Sequence, residues 1–122
     1  MPAILLSADL MTSSRVSGAA ARQNIVLHTA IGLQELLEQQ QALSVGLVLF
    51  DLSLTGVDPH EMVKKLRELS NNPLRIVAFG PHVHAARLTA ARAAGCDEVL
   101  SRGEFYGHMD EVLTDTASGD AS

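Results

Sequence analysis

The sequence predicts an α/β fold in which a five-stranded parallel sheet carries helices on both faces. Three observations point there. Short apolar runs alternate with single helical segments five times along the chain. The runs are near-continuous in apolar residues, as strands covered on both faces must be. Single helices between such strands imply right-handed crossovers and so parallel pairing. The length, 122 residues, suits one domain with one core, placed at residues 1–115, with 116–122 as a polar tail expected to be disordered.

Each element has a local cause. The first strand is "AILLSA" (3–8), an apolar run of the length that central strands favour. "TSSRVSGAAARQ" (12–23) follows as a helix capped by Thr12 or Ser13, with Val16, Ala19 and Ala20 on one face. "NIVLHTA" (24–30) is a strand with β-branched residues. "GLQELLEQQQALS" (32–44) is a helix with Leu33, Leu36 and Leu37 on one side and glutamines on the other. "VGLVLF" (45–50) is the third strand. "DPHEMVKKLRELS" (58–70) is the best-marked helix: Asp58 caps it, Pro59 takes the first helical position and Glu61 is placed to complete a capping box. Its Met62, Leu66 and Leu69 face inward, and "NNP" (71–73) ends it. "LRIVAFG" (74–80), "VHAARLTAARAAG" (83–95) and "DEVLS" (97–101) then read as strand, alanine-rich helix and short strand. "SRGEFYGHMDEVL" (101–113) is the final helix, with Ser101 and Glu104 as a second capping box.

Composition removes several function classes. Apolar residues make up 47% of the chain, so a packed core is expected in place of disorder. A formal charge of -5 without a Lys/Arg cluster argues against binding a nucleic-acid backbone. No apolar run approaches the roughly 18 residues that span a bilayer. "MPAILLSAD" has neither the basic flank nor the cleavage site of a signal peptide, and Cys96 is alone, so a reducing cytoplasm is the expected compartment. Cys96 itself reads as a small buried hydrophobe.

In parallel α/β sheets, ligands bind beyond the carboxyl ends of the strands, where strand order reverses. The residues there are Asp9 after the first strand, Asp51 after the third, Gly80 after the fourth and Arg102 after the fifth. "LVLFDLSLTG" (47–56) drives an apolar strand straight into the Asp51 carboxylate. If the first and third strands are neighbours, Asp9 and Asp51 lie side by side. Two carboxylates and nearby carbonyls then make an all-oxygen site for a hard cation such as Mg2+. A carboxylate held there is also a nucleophile toward phosphorus, and Arg102 a partner for a phosphoryl oxygen. A plainer alternative is also open at this point: both aspartates are loop residues that bond local N–H groups.

With Asp9 after the first strand, Asp51 opening "DLSLTGVD" and Gly95 in "AAGCDEVLSR", residues 3–113 resemble a receiver domain of the two-component response regulators. The resemblance implies a flavodoxin-like fold with strand order 2-1-3-4-5 and Asp51 as the phosphoacceptor. It implies Mg2+ held by Asp9, Asp51 and the Ser53 carbonyl, with Arg102 in the place of the family's lysine. It further implies phosphorelay signalling, with a histidine kinase as a candidate phosphodonor. A protein partner or a homodimer would use the face made by the fourth helix, fifth strand and fifth helix. The chain is expected not to be an enzyme, and not to bind nucleic acid or a membrane.

The departures define an atypical, pseudo-receiver variant. Where the family has an acidic pair after the first strand, "LSADL" offers Ala8 and Asp9, or a pairing displaced by one residue. With one acid gone, Mg2+ binding is expected to be weakened. Gly80 replaces the hydroxyl residue that follows a phosphoryl group, and Val99 replaces the aromatic residue that answers it, so the two-part lever is missing. Arg102 is a broad planar fork in place of a compact ammonium. Thr55 and Pro59 stand where other residues are usual. The expected function is a stand-alone receiver-like module with a degraded phosphorylation switch, acting through protein contacts.

Two alternatives remain. One is a phosphorylation-independent scaffold. The other is a small aspartate-based phosphotransfer enzyme, since "DLSLT" (51–55) is similar to the DxDxT signature of haloacid-dehalogenase-type phosphotransferases, with Ser53 where the general acid should be. "PHVH" sets His82 and His84 two apart without a third metal ligand at a recognisable spacing, although His82 is near enough to the sheet's carboxyl end to line the acidic pocket. His28, His60 and His108 read as structural or solvent-facing.

Overall fold

Five short strands make one sheet: β1 (Ala3–Leu6), β2 (Leu27–Ala30), β3 (Leu47–Asp51), β4 (Arg75–Gly80) and β5 (Glu98–Ser101). In the computed structural model, which describes residues 2–71 and 73–118 with side chains as far as Thr114, all pair in parallel in the order β2-β1-β3-β4-β5. The helices are α1 (Leu10–Arg22), α2 (Leu33–Leu43), α3 (Pro59–Leu69), α4 (Ala85–Ala94), α5 (Arg102–Gly107) and α6 (Met109–Ser118). The expected fold class and strand order are those observed.

Strand alternation sorts the core into two layers. Ile4, Leu6, Val48, Phe50, Ile76 and Ala78 meet Leu36, Met62, Leu66, Leu88 and Ala91 of α2, α3 and α4. Ala3, Leu5, Leu47, Leu49, Val77 and Phe79 meet Val16, Ala19 and Ala20 of α1 and Phe105, Val112 and Leu113 of α5 and α6. Burying each such Leu, Ile or Phe contributes about 1.5–3 kcal/mol, so β3, buried along its whole length, anchors both layers. The chain leaves β1 for β2 on one side and returns to β3 on the other. Strand order therefore reverses between β1 and β3, and the crevice at their carboxyl ends is where α/β folds place a ligand.

Several boundaries differ from expectation for identifiable reasons. α1 starts at Leu10 because Asp9, and not Thr12 or Ser13, is its N-cap. β2 loses its first residues because Asn24 turns left-handed (φ 58°) and Ile25 N–H bonds the Ala20 carbonyl at 2.9 Å, finishing the helix end. The glutamines of α2 do not all face water. Gln40 is 3% exposed, donating to Ser70 Oγ (2.9 Å) and accepting from Val45 N–H (2.9 Å). Asp58 caps α3 by accepting from Glu61 N–H at 3.2 Å, but the Glu61 carboxylate turns to Lys65, also at 3.2 Å. Val63 takes the inward place expected of Leu69, which is 38% exposed. The Ser101–Glu104 capping box forms in both directions.

The expected final helix is two helices, broken at His108 just after Gly107, a residue with weak helix propensity. α6 runs to Ser118, into the segment expected as a tail; 119–122 lie outside the described residues. Cys96 is half-buried against the α2–α4 layer, and that burial pushes its thiol up to about 11. Among the described residues no helix is long and apolar enough to cross a membrane.

Candidate functional site

Pairing of β1 with β3 sets Leu6 opposite Phe50, so the next residues, Ser7 and Asp51, come level. Alternation puts both on the same side as Leu5 and Leu49, facing α1. There the Ser7 hydroxyl donates to Asp51 Oδ2 at 2.7 Å, while Asp51 Oδ1 accepts Ser53 N–H at 2.9 Å. Ser7 is 4% exposed and Asp51 1%. A buried carboxylate is tolerated only when its oxygens are hydrogen-bonded, and here each one has a donor.

Asp9 lies two residues beyond that level and is exposed. Its carboxylate accepts from Thr12 Oγ1 at 2.6 Å and caps α1 through Met11 N–H (3.3 Å) and Thr12 N–H (3.4 Å). The Thr12 hydroxyl, the two backbone donors and the nearby Arg102 charge together hold this carboxyl below the usual aspartate range. Thr12 Oγ1 also meets the Tyr106 hydroxyl at 3.0 Å, and the Arg15 guanidinium lies 4.2 Å from the centre of the Tyr106 ring.

Arg102 opens α5 directly after β5 and donates from Nη2 to Ser53 Oγ at 2.7 Å. Its buried Nε has no partner among the described residues. Asp9 and Asp51 thus share one cleft of about 220 Å³ with Ala8, Ser53 and Leu54, and Arg102 stands at Ser53. The two aspartates line one rim, and each also accepts local N–H groups, as the plainer reading expects. His82 and His84 are exposed and do not line the cleft. A larger groove of about 480 Å³ between α1 and α5–α6 lies away from the strand ends. Its arginines are already engaged, Arg15 over the Tyr106 ring and Arg22 3.9 Å from Asp110.

The other end of the rim is bare. Gly80 is buried opposite Ser101, and a Cβ added there would meet Leu52 Cβ at 3.0 Å. Val99 packs half-buried as an aliphatic residue of the α2–α4 layer.

Three residues near the cleft escaped the sequence reading. Ser7 had a signal, a hydroxyl ending an apolar strand, and becomes visible once β1 pairs with β3. Tyr106 reaches Thr12 across 94 residues of chain, and Arg87 donates from Nη1 to the Leu52 carbonyl at 2.9 Å, tying α4 to the residue after Asp51. No spacing rule announces either contact.

The donor set does not fit a resident Mg2+. Such an ion needs near-ideal octahedral oxygen geometry at about 2.0–2.1 Å. The β1 residue level with Asp51 is a neutral serine that brings a donor and no charge to Asp51 Oδ2, Asp9 is engaged as a helix cap, and a guanidinium stands at Ser53. Among the described residues, no three His, Cys, Asp or Glu side chains converge on a common point.

No protein-family model matches the sequence, and no curated protein matches it. Solved structures match it in shape. The receiver domain of a response regulator from Bermanella marisrubri superposes with a TM-score of 0.81 at 15% identity, over 95% of this chain and 97% of that one. A chain of the Saccharomyces cerevisiae complex between the histidine phosphotransfer signaling protein Ypd1 and the receiver domain of its downstream response regulator Ssk1 gives 0.75 at 17%, over 96% and 91%. The beryllofluoride-activated NtrC4 receiver domain dimer gives 0.74 at 14%, over 94% and 98%. With the strand order and two-sided helical cover described above, the chain has the fold of the response-regulator receiver domains.

Proposed function

We propose that the chain is a receiver-type signalling module of a phosphorelay, in which Asp51 accepts a phosphoryl group and the signal leaves through a protein contact. The observation that carries this reading is the setting of Asp51: a carboxylate held on the floor of the cleft where strand order reverses, with Arg102 one serine away. Each Asp51 oxygen receives one hydrogen bond, so lone pairs remain for attack. One of them forms the bond to phosphorus. The P–N bond of a phosphohistidine, or the P–O bond of an acyl phosphate, breaks and the leaving group keeps the electron pair. The Arg102 guanidinium beside Ser53 supplies a charge-assisted donor for the arriving phosphoryl oxygens. A histidine kinase or phosphotransfer protein is the fitting donor class, as in the Ypd1 complex with the Ssk1 receiver domain.

Readout cannot follow the family's lever, because Gly80 has no hydroxyl and Val99 no ring. The output face of this reading is α4, β5 and α5. β5 is an edge strand, and α4 buries only Leu88 and Ala91, leaving Ala85, Ala86 and Arg92 outward. A partner or a second copy would cover that face. The reading as an aspartate-based phosphotransfer enzyme has less support, since a serine, Ser53, stands where the motif's second acid would be.

Incubation with acetyl phosphate, with and without Mg2+, followed by intact mass, tests the acceptor. The expected result is a gain of one phosphoryl group, lost in Asp51→Asn. A folded wild type that gains nothing supports the phosphorylation-independent scaffold instead.

A further inference from the structure

We propose that this cleft holds its acceptor carboxylate with the chain's own donors and works without a divalent cation, Ser7 being the positioning residue responsible. A cation in such a cleft would orient the carboxylate and cancel its charge. The first task is already met and the second is met in part. Orientation comes from Ser7 Oγ at 2.7 Å on Oδ2 and Ser53 N–H at 2.9 Å on Oδ1, with Ser7 and Asp51 both buried. Charge comes from Arg102, which leaves Asp9, Asp51 and Arg102 with a formal sum of one negative charge. Mg2+ gives up its water reluctantly and is usually bound through one or two carboxylates, and here both carboxylates are already engaged by the chain's own donors. A serine level with Asp51 brings a hydrogen to the place where a ligand would have to bring charge.

The meaning of this inference rests on reading Asp51 as the acceptor, but its test does not use phosphoryl transfer. The amide resonances of Ser7, Asp51 and Ser53 are followed while MgCl2 is titrated into the unphosphorylated protein at constant ionic strength. No saturable change at millimolar Mg2+ is expected for the wild type. Ser7→Asp, which sets a second carboxylate level with Asp51, should acquire one at the same amides. Saturable binding by the wild type that disappears in Asp51→Asn overturns the proposal.

Should Ser7→Asp fail to fold, Ser7→Ala decides the positioning role. Removing the hydroxyl should shift and broaden the Asp51 carboxyl carbon resonance, and an unchanged resonance sinks the claim. Absence of phosphoryl uptake would defeat the acceptor reading and leave every one of these outcomes intact.

Discussion

The two ends of the carboxyl rim are built from different materials. Between β1 and β3, side chains answer one another: Ser7 with Asp51, Asp9 with Thr12, Thr12 with Tyr106, and Arg102 with Ser53. Between β4 and β5 the position beside Ser101 carries no side chain at all, Leu52 closes over it, and Val99 is a core aliphatic. One rim therefore carries hydrogen-bonded polar side chains at one end and apolar packing at the other, because different strands hold the two. Side chains also link the two ends. Phe79 of β4 stacks on Phe105 of α5, the helix that Arg102 opens, and Arg87 of α4 reaches the Leu52 carbonyl.

The largest way to break this division is to remove the ring beneath it. Phe79 and Phe105 are both fully buried, with ring centres 3.9 Å apart and planes 4° from parallel. Phe79→Ala should cost about 3–5 kcal/mol of unfolding free energy in urea, as truncations of buried aromatics do. It should also loosen the Arg102–Ser53 contact, because Phe105 seats α5. A loss below about 1 kcal/mol would mean that the surroundings refill the space and the bare end does not support the reactive one.

A smaller change asks whether the bare end can be refitted. Gly80→Thr adds a hydroxyl at the end of β4, but its Cβ arrives at 3.0 Å from Leu52 Cβ, tighter than side chains ordinarily pack. Overpacking of this kind costs about 1–3 kcal/mol. If the Leu52 Cβ is the obstacle, adding Leu52→Gly, which removes it, should give a double variant more stable than the sum of the two single losses. Strict additivity would show the two residues to be independent.

How far the sequence carried this picture can be read from single residues. Ile4, Leu6, Val48 and Phe50 were legible as sheet core because near-continuous apolar runs leave a parallel strand no other place. Asp51 was legible because a strand that ends in a carboxylate is unusual. Asp9 was legible as an acid at the rim but misassigned in its local role. Thr12 competes with it for the cap, and only the backbone decides that Asp9 takes the extended conformation (φ -89°, ψ 117°). Ser7 was overlooked because its importance depends on register, a property of two strands 44 residues apart. Gln40 and Leu69 were misplaced for a related reason: helical periodicity gives a face, but which residues of it are covered depends on neighbours distant in sequence, as Ser70 is for Gln40.

The smallest expected effect tests whether Asp9 belongs to the cleft or to its helix. Its carboxyl is held low first by the Thr12 hydroxyl, with the Met11 and Thr12 amides and Arg102 adding to it. A group whose folded pKa is depressed contributes stability above its unfolded value, and that contribution disappears as pH falls through the folded pKa. Asp9→Asn keeps a capping oxygen and removes only the charge, since Asn caps helices about as well as Asp. At neutral pH the wild type should therefore unfold at slightly higher urea than Asp9→Asn. The gap should close as pH drops below the ordinary aspartate value of 3.8. Thr12→Val separates the two roles. If the cap network dominates, the Asp9 carboxyl carbon titrates closer to its ordinary value in that variant, whereas Arg102→Gln moves it little. A larger shift in Arg102→Gln would instead make Asp9 a member of the charged cleft first and a helix cap second.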